Sequence, residues 1–204
     1  MTSGRFNSAT SIPTSRCDST NFYNEFSTAL RSGDERHLPE LVTCDGPSYD
    51  IGASGKYVAP GATALGPPNW IFPRDPIPAA DDSLATIHCC HFLEHLSGDN
   101  AVLFLREVER VLIPERGVMN FCVPYFSSLL MAQNLQHKSF WCEETFRNLF
   151  EDDTYEHCGK WRLKVGFLVI AGIVNRNLAL LGQIIKSDVK QPCEEKWFYP
   201  KTAE

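Results

Sequence analysis

The sequence predicts an α/β domain with a mostly parallel sheet, and three segments in the middle of the chain carry that expectation. Leu84 to Cys90 is a short, mainly apolar run that follows the polar turn Asp81-Asp82-Ser83 and ends in a polar edge holding His91, Glu94 and His95. Asn100 to Leu112 sets Val102, Leu105, Val108 and Leu112 on one helical stripe, with Pro114 closing the helix. Val118 to Val123 is a further buried run, entered through Gly117 and ended by Pro124. Strands and an amphipathic helix in alternation are the mark of an α/β layer structure. A strand that delivers polar residues at its carboxyl end is where open α/β sheets bind ligands.

At 204 residues the chain supports one domain with a substantial core rather than two. A net charge of -6 argues against broad phosphate neutralisation, so no general nucleic-acid binding is expected. Cys17, Cys44, Cys89, Cys90, Cys122, Cys142, Cys158 and Cys193 are scattered without a CxxC pair, which favours reduced thiols and a cytoplasmic location. The opening residues lack the apolar segment of a signal peptide. Val165 to Val174 is apolar but too short to span a bilayer, and Arg176 follows it, so no membrane association is expected. A buried strand followed by a helix is the ordinary reading of that run.

Residues 1–20 are rich in Ser and Thr and read as a mobile arm. Phe22, Tyr23, Phe26 and Leu30 predict a helix over 21–31, stopped by Ser32-Gly33. Residues 21–186 form the expected domain, and 187–204 a tail whose Trp197-Phe198-Tyr199-Pro200 cluster either clamps onto the domain or contacts another subunit.

The order Ile77-Pro78…Asp81-Asp82-Ser83, His91-Phe92-Leu93-Glu94-His95-Leu96, Glu107…Arg110-Val111-Leu112-Ile113-Pro114…Gly117 and Val118 to Pro124 resembles the S-adenosylmethionine-dependent methyltransferases with a Rossmann-like sheet, especially their small members of the type 11 kind. Gln136-His137-Lys138 leading to Glu144-Thr145-Phe146 extends the likeness, which covers about Tyr49 to Phe150. The resemblance implies a three-layer sandwich whose first strand ends near Asp50, with Asp50 binding a polar end of the cofactor and Gly52 and Gly55 letting the backbone approach it closely. Ser54 stands where a glycine is more usual.

The second strand of such proteins ends in a carboxylate for the ribose hydroxyls, whereas Gly61 to Pro68 has none. The step from Gly55 to Gly61 is also too short for a full helix, so the domain is trimmed around that strand. Phe72 to Pro76 corresponds to the loop after the third strand, and Asp75 is the candidate near the adenine unless it is a plain turn residue. Asp82 and Ser83 shape the turn into the fourth strand. Trp161 to Val174 and Leu178 to Ile185 correspond to final antiparallel strands with a helix or an extended segment between them.

His91, on this likeness, stands beside the acceptor and can take its proton as a neutral imidazole. Glu94 is a cofactor-side candidate, or with His95 a hydrogen-bond network that starts a helix. Tyr125 covers the substrate or simply packs. His137 and Lys138 lie over the acceptor side or merely form a turn capped onto Glu143-Glu144-Thr145-Phe146. Arg106, Glu109 and Arg110 are most simply a solvated helix face.

His91-Phe92-Leu93-Glu94-His95 also fits the HxxEH pattern of zinc peptidases, which needs both histidines on one helix. Ala85 to Cys90 reads as a β-run and Ser97-Gly98-Asp99 cuts any helix short, so that reading is set aside and no metal is expected. The expected activity is methyl transfer from S-adenosylmethionine to an oxygen or nitrogen of a small molecule or of a glycan- or nucleoside-type acceptor. The alternative is a methyltransferase-like binding or assembly module without activity, with self-association through the C-terminal tail a further expectation.

Overall fold

The computed structural model describes residues 44–52, 58–150, 161–171, 178–188 and 196–198. The arm over 1–20, the helix over 21–31 and Gly55 lie outside the described residues. Seven strands form one sheet: β1 (Ser48–Ile51), β2 (Thr63–Leu65), β3 (Thr86–Cys90), β4 (Val118–Pro124), β5 (Leu163–Ala171), β6 (Ala179–Lys186) and β7 (Lys196–Phe198). Their order across the sheet is β2-β1-β3-β4-β6-β5-β7. Among the described residues the α-helices are α1 (Gly98–Val111), α2 (Leu129–Gln133) and α3 (Glu143–Phe150).

The sheet is mixed, which corrects the expectation of a mostly parallel one. β2, β1, β3 and β4 run parallel, but the longest ladders, β4 with β6 and β6 with β5, are antiparallel. Only residues 172–178 connect β5 to β6, too few for the crossover that a parallel pairing requires, so β6 folds back beside β5. Ala179 to Leu181 accordingly lies at the start of a strand rather than in a helix. Within the expected tail, β7 pairs in parallel with β5.

No third strand separates β2 from β3, so the expected loop after one is instead a long turn region outside the sheet. Pro67, Pro68, Pro73, Pro76 and Pro78 interrupt that region, and proline cannot donate to a strand ladder. Trp70 and Ile77, both buried, anchor it instead.

Ser97 starts α1, its hydroxyl accepting from the Asn100 N–H at 3.4 Å. The helix buries Ala101, Phe104, Leu105, Val108 and Val111. Full burial of a side chain such as Phe104 contributes about 1.5–3 kcal/mol. Gly117 is required where the chain turns into β4, since a Cβ there would stand 2.6 Å from the Ile113 carbonyl oxygen. Asp82 occupies the left-handed region at φ 57° and Ser83 donates to the Ala80 carbonyl at 2.6 Å, so both shape the turn into β3.

The polar side of α1 is not a simple solvated face. Arg110 donates to Ala79 and Ile77 carbonyls at 2.8 and 3.0 Å and to Asp81 at 2.9 Å, while gripping Glu107 through Nε and Nη2 at 2.9 and 2.7 Å. Arg106 lies 3.8 Å above the Trp161 ring, and Glu109 accepts from the Arg162 N–H at 2.6 Å. These charges fasten the loop at 77–81 and the start of β5 to the helix. Among the described residues, no helix is long and apolar enough to cross a membrane.

Candidate functional site

The connections leaving the neighbouring strands β1 and β3 go to opposite sides: β1 leads to β2 on one flank and β3 to β4 on the other. Such a divergence opens a crevice at the carboxyl ends of the strands. Ile51 stands opposite Cys89, so Gly52 leaves the sheet level with Cys90, one residue before His91.

Asp50 is fully buried within β1, and its Oδ2 accepts from the Ala59 N–H at 2.8 Å. It therefore ties the incoming strand to the segment that leads into β2. Gly52 has φ 80°, and a Cβ there would stand 3.0 Å from the Phe92 Cβ and 3.1 Å from its Cδ2. Phe92 in turn packs 5.9 Å from the Trp70 ring and 5.1 Å from the Phe104 ring, centroid to centroid. The glycine thus admits an aromatic side chain of the protein itself.

On the β3 side the chain makes one last ladder contact, from the His91 N–H to the Cys122 carbonyl at 2.8 Å. It then turns out through His91, at φ 54°, into a single 3-10 turn, Leu93–His95. Histidine tolerates this region better than most residues. His91 and His95 do not share a helix, which removes the geometric basis of the HxxEH peptidase pattern. The His91 Nδ1 lies 3.3 Å from Oε1 of Glu94, and its Nε2 lies 3.9 Å from the Cys122 sulfur. Glu94 is completely buried, and its Oε2 has no hydrogen-bond partner among the described residues.

A second segment closes on this turn from forty residues downstream. The Lys138 and Ser139 N–H groups donate to the Glu94 carbonyl at 2.7 and 3.2 Å, and the Ser139 hydroxyl donates to the Leu93 carbonyl at 3.0 Å. Trp141 donates to that hydroxyl at 2.9 Å. The His137 side chain consequently points inward, 7 % exposed, with Nε2 4.0 Å from the Glu94 carboxylate, and its ring meets that of His95 edge-on at 4.9 Å. Lys138 points outward and is exposed.

The structure therefore brings His91, Glu94 and His137 together, adds His95, and sets Gly52 and Asp50 on the neighbouring strand. Asp75 is not among them. Its carboxylate accepts from Arg74 and from the Ile71 N–H at 2.9 Å, in a local turn that holds it below the usual carboxylate range, chiefly through the Arg74 hydrogen bond. Tyr125 donates to Glu143 at 2.9 Å, which binds the end of β4 to α3. The convergence of His95 with His137 has no local sequence signal, because it depends on the backbone bonds between the two segments.

The sequence matches no family model and no curated protein. Among solved structures, the small RNA methyltransferase HEN1 is similar at TM-score 0.48 and 15% identity over 86% of this chain, which spans 26% of that chain. A chain from the complex between the Haloferax volcanii Trm112 methyltransferase activator and a methyltransferase is similar at TM-score 0.47 and 12% identity, covering 83% of this chain and 96% of the other.

Proposed function

We propose that the chain is a methyltransferase that uses S-adenosylmethionine and methylates an oxygen or nitrogen of a small molecule or of a glycan- or nucleoside-type acceptor. The observation that carries this reading is the divergence of the connections from the neighbouring strands β1 and β3, to β2 on one side and to β4 on the other, which opens the carboxyl ends where Asp50 and Gly52 end one strand and His91 ends the other. The cofactor supplies a methyl group already activated on a sulfonium, so the protein's part is placement and proton removal.

The fit of the residues to the cofactor is uneven. The polar edge at His91 and Glu94 suits its methionine end, whereas the space in front of Gly52 is filled by Phe92, and Gly55 lies outside the described residues. No carboxylate follows Leu65 at the end of β2, so the ribose hydroxyls lack their usual acceptor and weak affinity is expected. His91 holds the acceptor. With Nδ1–H directed at Glu94, its Nε2 lone pair takes the acceptor proton as the acceptor's heteroatom bonds to the methyl carbon. Glu94 orients the ring. With the cofactor bound, transfer would leave the carbon–sulfur electron pair on its sulfur as a thioether.

The test is transfer of labelled methyl from S-adenosylmethionine to a panel of sugars, nucleosides and small amines. A second reading, an inactive binding or assembly module, is favoured by Phe92 packed against Gly52 together with the missing carboxylate at β2. Transfer to any acceptor on the panel sets that second reading aside.

A further inference from the structure

We propose that Glu94, His95 and His137 form a binding site for a divalent first-row transition-metal ion, independently of whether the chain transfers methyl groups. The ligating atoms of these three side chains all lie within 4.8 Å of one another. Two imidazoles and one carboxylate suit ions such as Zn²⁺, Co²⁺ or Mn²⁺, whereas Mg²⁺ and Ca²⁺ favour oxygen ligands.

Three features distinguish this group from an ordinary hydrogen-bonded cluster. First, the His137 Nδ1 lies 3.1 Å from the Met131 carbonyl, so that nitrogen carries the proton and donates it there. The lone pair is then on Nε2, facing the Glu94 carboxylate at 4.0 Å, too far for a hydrogen bond. Two lone-pair donors face each other across a gap, and a cation between them satisfies both. An imidazole whose other nitrogen is fixed by a carbonyl is the usual second layer of a metal-binding histidine.

Second, Glu94 is completely buried with Oε2 lacking a hydrogen-bond partner among the described residues. A buried ionised carboxylate is costly unless it is paired or fully hydrogen-bonded, and a bound cation removes that cost. Its ion-pair neighbours among the described residues are His91 and His137 alone, both neutral unless protonated. Third, the two halves of the site are locked together, since Lys138 and Ser139 bond through their backbone to the Glu94 carbonyl.

An ion at metal–ligand distances of about 2.0–2.2 Å draws its ligands to about 3–3.5 Å apart, a contraction within reach of side-chain rotation. His91, at 3.3 Å from Oε1 of Glu94, acts as a positioning residue that steers the carboxylate. Three protein ligands leave the remaining coordination positions to water or to an oxygen of a bound molecule.

In the sequence, His91, Glu94 and His95 form one local motif. The fold replaces His91 as ligand by His137.

The full chain, stripped with chelator, is titrated separately with Co²⁺, Zn²⁺ and Mn²⁺ by calorimetry, with the visible and near-ultraviolet absorption of the cobalt form recorded. The expected result is one ion per chain for at least one of the three metals, cobalt d–d bands where cobalt binds, and no thiolate-to-cobalt charge-transfer band. His137→Ala and Glu94→Gln each weaken binding by about a hundredfold or more, and His91→Ala by about tenfold. His95→Ala, at a half-buried position where the fold is less at risk, must weaken binding in the same way. Absence of binding at millimolar metal overturns the proposal. So does a thiolate band, which would assign the ion to cysteines, or an affinity unchanged in either His95→Ala or His137→Ala.

Discussion

Phe92 fills the space in front of Gly52: a side chain at residue 52 would begin 3.0 Å from the Phe92 Cβ. One aromatic ring thereby joins the ends of β1 and β3 and links them to Trp70 and Phe104. Gly52→Ala is expected to lower stability by about 1–3 kcal/mol, from overpacking together with the strained φ of 80°. In chemical denaturation, Phe92→Ala alone costs stability through its cavity, but the double variant loses less than the sum of the two singles. Additive losses would show that Gly52 and Phe92 do not meet.

Arg110 and Glu107 form a second testable pair. The forked hydrogen bonds from Arg110 hold the Glu107 carboxyl below the usual carboxylate range, helped by the Ile77 N–H, while burial works against the shift. A carboxylate whose folded pKa is depressed contributes stability that is fully present above its unfolded value of about 4.3 and is lost as pH falls through the folded value. Glu107→Gln is expected to destabilise by about 1–2 kcal/mol at neutral pH, the scale of charge-assisted hydrogen bonds. The difference from the parent protein should shrink as the pH is lowered below about 4.3. A difference that is constant from pH 7 to pH 3 would sink this assignment.

His91 carries the chemical part of the proposal. With an acceptor identified, His91→Ala is expected to lower turnover by about a hundredfold or more while cofactor affinity changes little. A loss of less than about threefold would mean that placement alone drives transfer and that His91 is not the base.

Much of this architecture was legible because it is local. The apolar run before His91, the stripe Leu105-Val108-Leu112 and the Gly117 turn each declare their element within a few residues, and β3, α1 and β4 follow. β3 begins at Thr86, two residues later than expected, because Leu84 makes only an isolated bridge to Leu112. What depended on distant partners was not legible. Arg110 looks like a surface charge until the loop at 77–81 is laid across it, and Gly52 looks like a cofactor glycine until Phe92 is packed against it. His95 and His137, 42 positions apart in the chain, meet because Lys138 and Ser139 bond to the Glu94 carbonyl, a pairing that no spacing rule encodes.

The most direct test of the central claim is a calorimetric titration of the full chain with S-adenosylmethionine and with its demethylated product. The account predicts one site per chain for both, with weak affinity in the high-micromolar range, because the carboxylate for the ribose is missing at the end of β2. The absence of binding by either compound at millimolar concentration would contradict it and leave the assembly-module reading in its place.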